Sequence, residues 1–101
     1  MTLRRSSLSL EYVSIEVDGG ADPTALTVQM AFPSAGVAPV SGDWKTANWD
    51  PSYSSEPWLA RCLVGPGGTV TLAAGSYDVW IKIGGPSPEM PVQLAGSITI
   101  Y

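Results

Sequence analysis

Histidine is absent from this chain, and cysteine occurs once, at Cys62. The first absence removes the most common general base and the most common neutral metal ligand. One thiol with no imidazole leaves nothing on which to build a zinc site or a nucleophilic triad. Cys62 alternates with apolar positions along a strand-like run, so it reads as a small buried apolar residue. The carboxylates are the remaining acid–base candidates. Asp43 and Asp50 flank a tryptophan-bearing stretch, with Glu56 beyond it. A glycosidase holds two carboxyls about 5–9 Å apart across a cleft, and nothing in this stretch builds such a cleft. Asp18 and Asp22 with the intervening glycines read as a turn, because their spacing is not that of a calcium-binding EF-hand loop. Gly65-Pro66-Gly67-Gly68 lacks the Gly-Lys-Ser/Thr ending of a phosphate loop and is followed by a strand-like run. No enzyme activity, cofactor or metal is expected.

The unusual side chains are the aromatic ones. Four tryptophans are present, and Trp44, Trp49 and Trp58 lie with Tyr53 in or beside one irregular segment. Trp80 falls opposite the apolar face of its own strand. Three uses compete for the segment: a cap over one end of the fold, a subunit interface, for which Trp and Tyr are favoured anchors, or a platform for stacking sugar rings. Trp44, Trp49, Tyr53, Trp58 and Trp80 are therefore the candidate contact residues. Arg4 and Arg5 join them as a basic arm that grips a neighbour.

The elements that position these residues are short strands. With 45% apolar residues the composition is that of a globular chain. Eleven glycines and nine prolines fall between the apolar runs as punctuation. Leu8–Val17 places Val13, Ile15 and Val17 on one face, and Leu26–Phe32 alternates Leu26, Val28, Met30 and Phe32 inward. Val37–Val40 reads as a short edge strand. Trp58–Val64 turns Trp58, Ala60, Cys62 and Val64 to one side. Thr69–Leu72, Tyr77–Ile83 and Val92–Tyr101 complete the set, the last with Val92, Leu94, Gly96, Ile98 and Ile100 in phase. Leu72-x-x-Gly75-x-Tyr77 matches a tyrosine corner, in which the phenol returns to bond upstream backbone. Six or seven strands at roughly 8–12-residue spacing, with no helix, predict an all-β, immunoglobulin-like β-sandwich of about seven antiparallel strands. Residues 1–7 read as a flexible basic arm. Residues 8–101 read as one domain with an irregular tryptophan-rich excursion at 34–57.

Charge narrows the partners. Five basic and nine acidic residues give a net charge of −4, and such a body repels nucleic acid. Sparse charge also weakens solubility as a free monomer and fits a packed, assembled existence. A single cysteine forms no internal disulfide, so folding in a reducing cytoplasm is the simpler expectation. Arg4-Arg5 has the look of a signal-peptide start, but polar serine and glutamate interrupt the apolar run that such a signal needs. No stretch approaches the length of a membrane span.

With those residues in view, the chain resembles small β-sandwich proteins found among the virion structural proteins of tailed phages, especially phages of actinobacteria. The resemblance is carried by Trp58-Leu59-Ala60-Arg61-Cys62-Leu63-Val64-Gly65-Pro66-Gly67-Gly68 and by Leu72 to Ile83. It continues in Glu89-Met90-Pro91-Val92 and in Leu94 to Ile100, with Gly42-Asp43-Trp44 and Asn48-Trp49 as smaller pieces. It implies a non-enzymatic virion component, assembled in the host bacterial cytoplasm into a homo-oligomer or symmetric array with other virion proteins. Capsid decoration or a minor capsid role is the first expectation. A head–tail connector, a tail or baseplate part, or a glycan-binding module are the alternatives. The motif fixes no binding residues.

Overall fold

The computed structural model describes residues 2–17, 26–52, 58–84 and 92–101. Among these residues seven strands form: β1 (Thr2–Arg5), β2 (Glu11–Val17), β3 (Val28–Ala31), β4 (Trp44–Trp49), β5 (Trp58–Val64), β6 (Gly75–Ile83) and β7 (Val92–Ile100). A short 3-10 turn, Ser41–Asp43, leads into β4. The all-β expectation holds, but the two stacked sheets of a sandwich are not what forms. One mixed sheet runs β1-β7-β6-β3-β4-β5-β2 without interruption and curls into a half-barrel.

The reason is β4. Its first four residues pair with β3, Trp44 opposite Ala31 and Ala47 opposite Val28. Its last two pair with β5, Asn48 opposite Arg61 and Trp49 opposite Ala60. One strand thus hands the hydrogen-bond ladder from one flank to the other, and the sheet bends around Ala47, which is small and buried. The segment 34–57, expected to be irregular, therefore contains a regular strand. The expected edge strand at Val37–Val40 does not form; a bridge between Ser34 and Tyr77 precedes it.

The concave side holds the core. Val13 and Ile15 of β2, Val28 and Met30 of β3, Ala60, Cys62 and Val64 of β5, Val79 and Ile81 of β6, and Ile98 and Ile100 of β7 are all buried. These are the positions that period-two alternation assigns inward. β7 departs from simple alternation. Val79 lies opposite Gly96 but Trp80 lies opposite Leu94, so Ala95 is an extra residue in the ladder. A bulge of this kind reverses the phase of everything beyond it. Leu94, expected inward with Ile98, is instead 51% exposed, and Ala95 packs on the core.

The tyrosine corner forms: Tyr77 Oη donates to the Ala73 carbonyl at 2.8 Å. The run before it, Thr69–Leu72, contributes a single bridge, Val70 to Val64, rather than a strand. At the other end of the molecule, residues expected as a loose arm include β1, which pairs parallel to β7 with Thr2 opposite Ser97 and Arg5 opposite Ile100. Leu3 packs against the core, and its burial holds the strand where a polar and basic reading alone placed a frayed end.

Candidate functional site

Trp44 and Trp49 are five residues apart on one strand, so their side chains leave opposite faces of the sheet. Trp49 lies opposite Ala60 and joins the concave side, where it packs against the core and its Nε1 donates to the Leu26 carbonyl at 3.0 Å. Trp58 is also on that side, 5% exposed. Its ring is enclosed by a single copy and offers no surface to a partner. The expected cluster of Trp44, Trp49, Tyr53 and Trp58 is therefore divided: two indoles belong to the interior, and Tyr53 lies outside the described residues. Asp18, Asp22 and Glu56 also lie outside them.

Trp44 belongs to a different grouping, one that strand register creates. On the convex face, Trp44 of β4 lies opposite Ala31 of β3, Ala31 lies opposite Trp80 of β6, and Trp80 lies opposite Leu94 of β7. Four strands so contribute one cross-strand row, Trp44–Ala31–Trp80–Leu94. Side chains directly opposite in an antiparallel pair stand about 4.5–5.5 Å apart at Cβ, close enough for the two indoles to cover the small residue between them. Ala31 is accordingly 0% exposed although it points away from the core. The central strand is thus roofed by apolar matter on both faces. Both indoles remain partly exposed. Trp80 Nε1 is enclosed with no acceptor among the described residues.

Lys82 borders the row. Its Nζ stands 4.5 Å from the centroid of the Trp44 ring, a cation–π contact. Asp78 closes the other side: its Oδ2 accepts from the Gly36 N–H at 2.9 Å. The convex face is therefore an apolar strip with one cation and one anion at its margins, carried on regular strands rather than on a loop.

The remaining candidates have local occupations. Arg4 lies over the Tyr101 ring with Cζ 4.9 Å from its centroid. Arg5 forms an ion pair with Glu11. Both guanidiniums are engaged within the chain, on a strand rather than a free arm. Asp43 Oδ2 accepts from Val40 N–H at 2.9 Å, and Asp50 Oδ1 accepts from Ser52 N–H at 2.9 Å, so each carboxylate shapes a turn. Burial pushes the Cys62 thiol up to about 11, and the residue is 1% exposed. Among the described residues, no three His, Cys, Asp or Glu side chains gather as a metal site would require.

Arg61 was not among the candidate contact residues. Its Cζ lies 4.2 Å above the centroid of Tyr12, its Nη1 is 3.9 Å from Asp50 Oδ2, and its Nε has no acceptor among the described residues. An arginine in an otherwise apolar strand was the available signal.

Comparison with known proteins finds no family model, no curated protein and no solved structure that matches this chain.

Proposed function

We propose that the chain is a non-enzymatic structural subunit of a tailed-phage virion, a capsid decoration or minor capsid protein that reinforces the assembled shell through subunit contacts. The observation that carries this reading is the row Trp44–Ala31–Trp80–Leu94, apolar and partly exposed on the convex face of an ordered sheet. Apolar surface removed from water contributes about 25 cal/mol per Å², and tryptophan is the residue type most enriched among dominant interface contacts. Strands hold these indoles in place before docking, so little side-chain freedom remains to be lost on contact. Lys82 and Asp78 at the margins give the surface an orientation without making it strongly charged. A net charge of −4 and the resemblance of residues 58–100 to virion proteins agree with a protein partner. A connector, tail or baseplate subunit would use the same face in the same way.

The glycan-platform alternative is less well supported. Two of the four indoles turn inward, and the Lys82 ammonium occupies one face of the Trp44 ring, where a sugar would stack.

The test replaces the row without touching the core. A W44A/W80A chain should keep its β-sheet circular-dichroism spectrum, yet its copy number on purified particles should fall at least ~10-fold, the scale of a lost interface anchor. Full incorporation of that variant, or a tryptophan fluorescence response of the native chain to cell-wall polysaccharide, would remove the reading.

A further inference from the structure

The convex face of β7, β6, β3 and β4 carries its apolar row across the strands and its charges along one of them. Asp78, Trp80 and Lys82 alternate with the buried Val79 and Ile81, so all three stand on the convex side of β6. The anion and the cation thus lie two residues to either side of the row, about 13 Å apart along the strand. Both are partly exposed, and neither has an ion-pair partner among the described residues. Apolar surface continues at the Asp78 end. There the segment joining β3 to β4 is tied down by the Gly36–Asp78 hydrogen bond, and its Val37 and Val40 are exposed.

We propose that this face is occupied by the same face of a second copy, the two sheets stacked about a two-fold axis that runs along the Trp44–Ala31–Trp80–Leu94 row. The proposal rests on the row being a contact surface, as argued above, and names what that contact holds. Stacked sheets lie about 10 Å apart with strand directions within about 30° of each other. Two kinds of two-fold axis satisfy that alignment. An axis parallel to β6 keeps Asp78 level with Asp78 of the second copy, and Lys82 level with its Lys82. An axis across the strands makes the two β6 strands antiparallel. Placed on the row, it sets Trp80 against Trp80 and Trp44 against Trp44, and each Asp78 faces Lys82 of the second copy. Facing like charges are costly and facing opposite charges fix register. Charge complementarity therefore selects the axis along the row, where apolar matter also meets apolar matter.

The contact is isologous and closed. Four strands about 4.8 Å apart and five residues about 3.3 Å each give a footprint of roughly 19 by 16 Å. That is the low end for a specific interface, so the free chain should dimerise weakly, in the micromolar range.

Sedimentation equilibrium of the full chain tests the pairing. Asp78→Lys and Lys82→Asp should each weaken the dimer at least ~10-fold without changing the β-sheet circular-dichroism spectrum, and the two together should recover most of the loss. Recovery separates facing charges from a local role, because Lys82→Asp does not restore the acceptor that Gly36 loses with Asp78. Lys45→Asp, exposed on the opposite side of β4, should leave the dimer unchanged. A chain that stays monomeric at every concentration overturns the proposal. So does a dimer that Lys45→Asp weakens equally, or one that the double exchange fails to restore. The earlier reading fails separately. A monomer whose W44A/W80A variant still drops from particles keeps the virion role and gives this face to a different protein, which sinks the pairing. A dimer with the expected charge response, whose W44A/W80A variant incorporates fully, upholds the pairing and removes the virion role of the row.

Discussion

At the scale of single residues, two positions decide more than their size suggests. Gly65 sits at φ +139°, a conformation that side chains rarely adopt, and it is buried where β5 ends. A Cβ there would run into the Ser9 carbonyl oxygen and lie 2.7 Å from Leu10 Cα. Both are backbone atoms, so no rotamer change relieves the clash. Gly65→Ala should therefore destabilise the fold by at least ~2 kcal/mol, combining backbone strain with overpacking, and lower the melting temperature by roughly 10 °C. Gly67, also at positive φ but with nothing near its Cβ, should tolerate alanine better. Cys62 makes the second case. Its thiol is pushed from 9.0 up to about 11 by burial. A raised folded-state value favours the protonated, folded form, so the stability it contributes is complete below pH ~9 and is lost as pH climbs toward ~11. Denaturation midpoints followed across that window should fall more steeply for the native chain than for Cys62→Ala. Parallel curves would show that the thiol does not titrate with unfolding.

At the scale of elements, what could be read from the sequence was set by how much of each strand faces the core. Trp58–Val64 was legible to the residue, because Trp58, Ala60, Cys62 and Val64 are buried in strict alternation. Inward positions of β2, β3 and β6 followed the same logic, and so did the corner at Tyr77, whose hydrogen bond to Ala73 depends on local spacing alone. β4 was not legible. Its inward positions are Lys45, Ala47 and Trp49, and a charged residue followed by a small one breaks the apolar signal; Lys45 lies where the strand overhangs β5, and it stays exposed. The consequence reached the whole architecture, because pairing of β4 with both β3 and β5 is what joins two flanks into one sheet. The bulge at Ala95 was equally hidden, since Val92 to Ile100 keeps perfect alternation in the sequence and only its partner strand reveals the extra residue. The candidate contact set suffered from the same gap. Trp44 and Trp49 looked like neighbours in a loop, whereas a strand separates residues at odd spacing. Once 44–49 is a strand, the indole that shares a face with Trp44 is Trp80, on the far side of β3 and distant in the chain.

At the scale of the molecule, the ends of the chain meet. Thr2 lies opposite Ser97, Ser7 N–H donates to the Tyr101 carbonyl at 2.7 Å, and Tyr101 N–H donates to the Arg5 carbonyl at 3.0 Å. Pairings this distant in sequence are slow to find, because loop closure precedes any return in contact energy, and sheets dominated by them fold in about milliseconds to seconds. β1 is an edge strand whose main apolar contribution is Leu3, so the sheet from β7 to β2 can form before it docks. Removing residues 1–5 should then subtract about 1.5–3 kcal/mol, from the half-buried Leu3 side chain together with the β1–β7 hydrogen-bond ladder, and it should do so almost wholly in unfolding. In stopped-flow measurements the unfolding arm should rise about 10- to 100-fold while the refolding arm stays nearly fixed, the signature of contacts absent from the transition state. If the refolding arm falls instead, the two ends close early, and β1 is a scaffold on which β7 assembles rather than the last strand laid down.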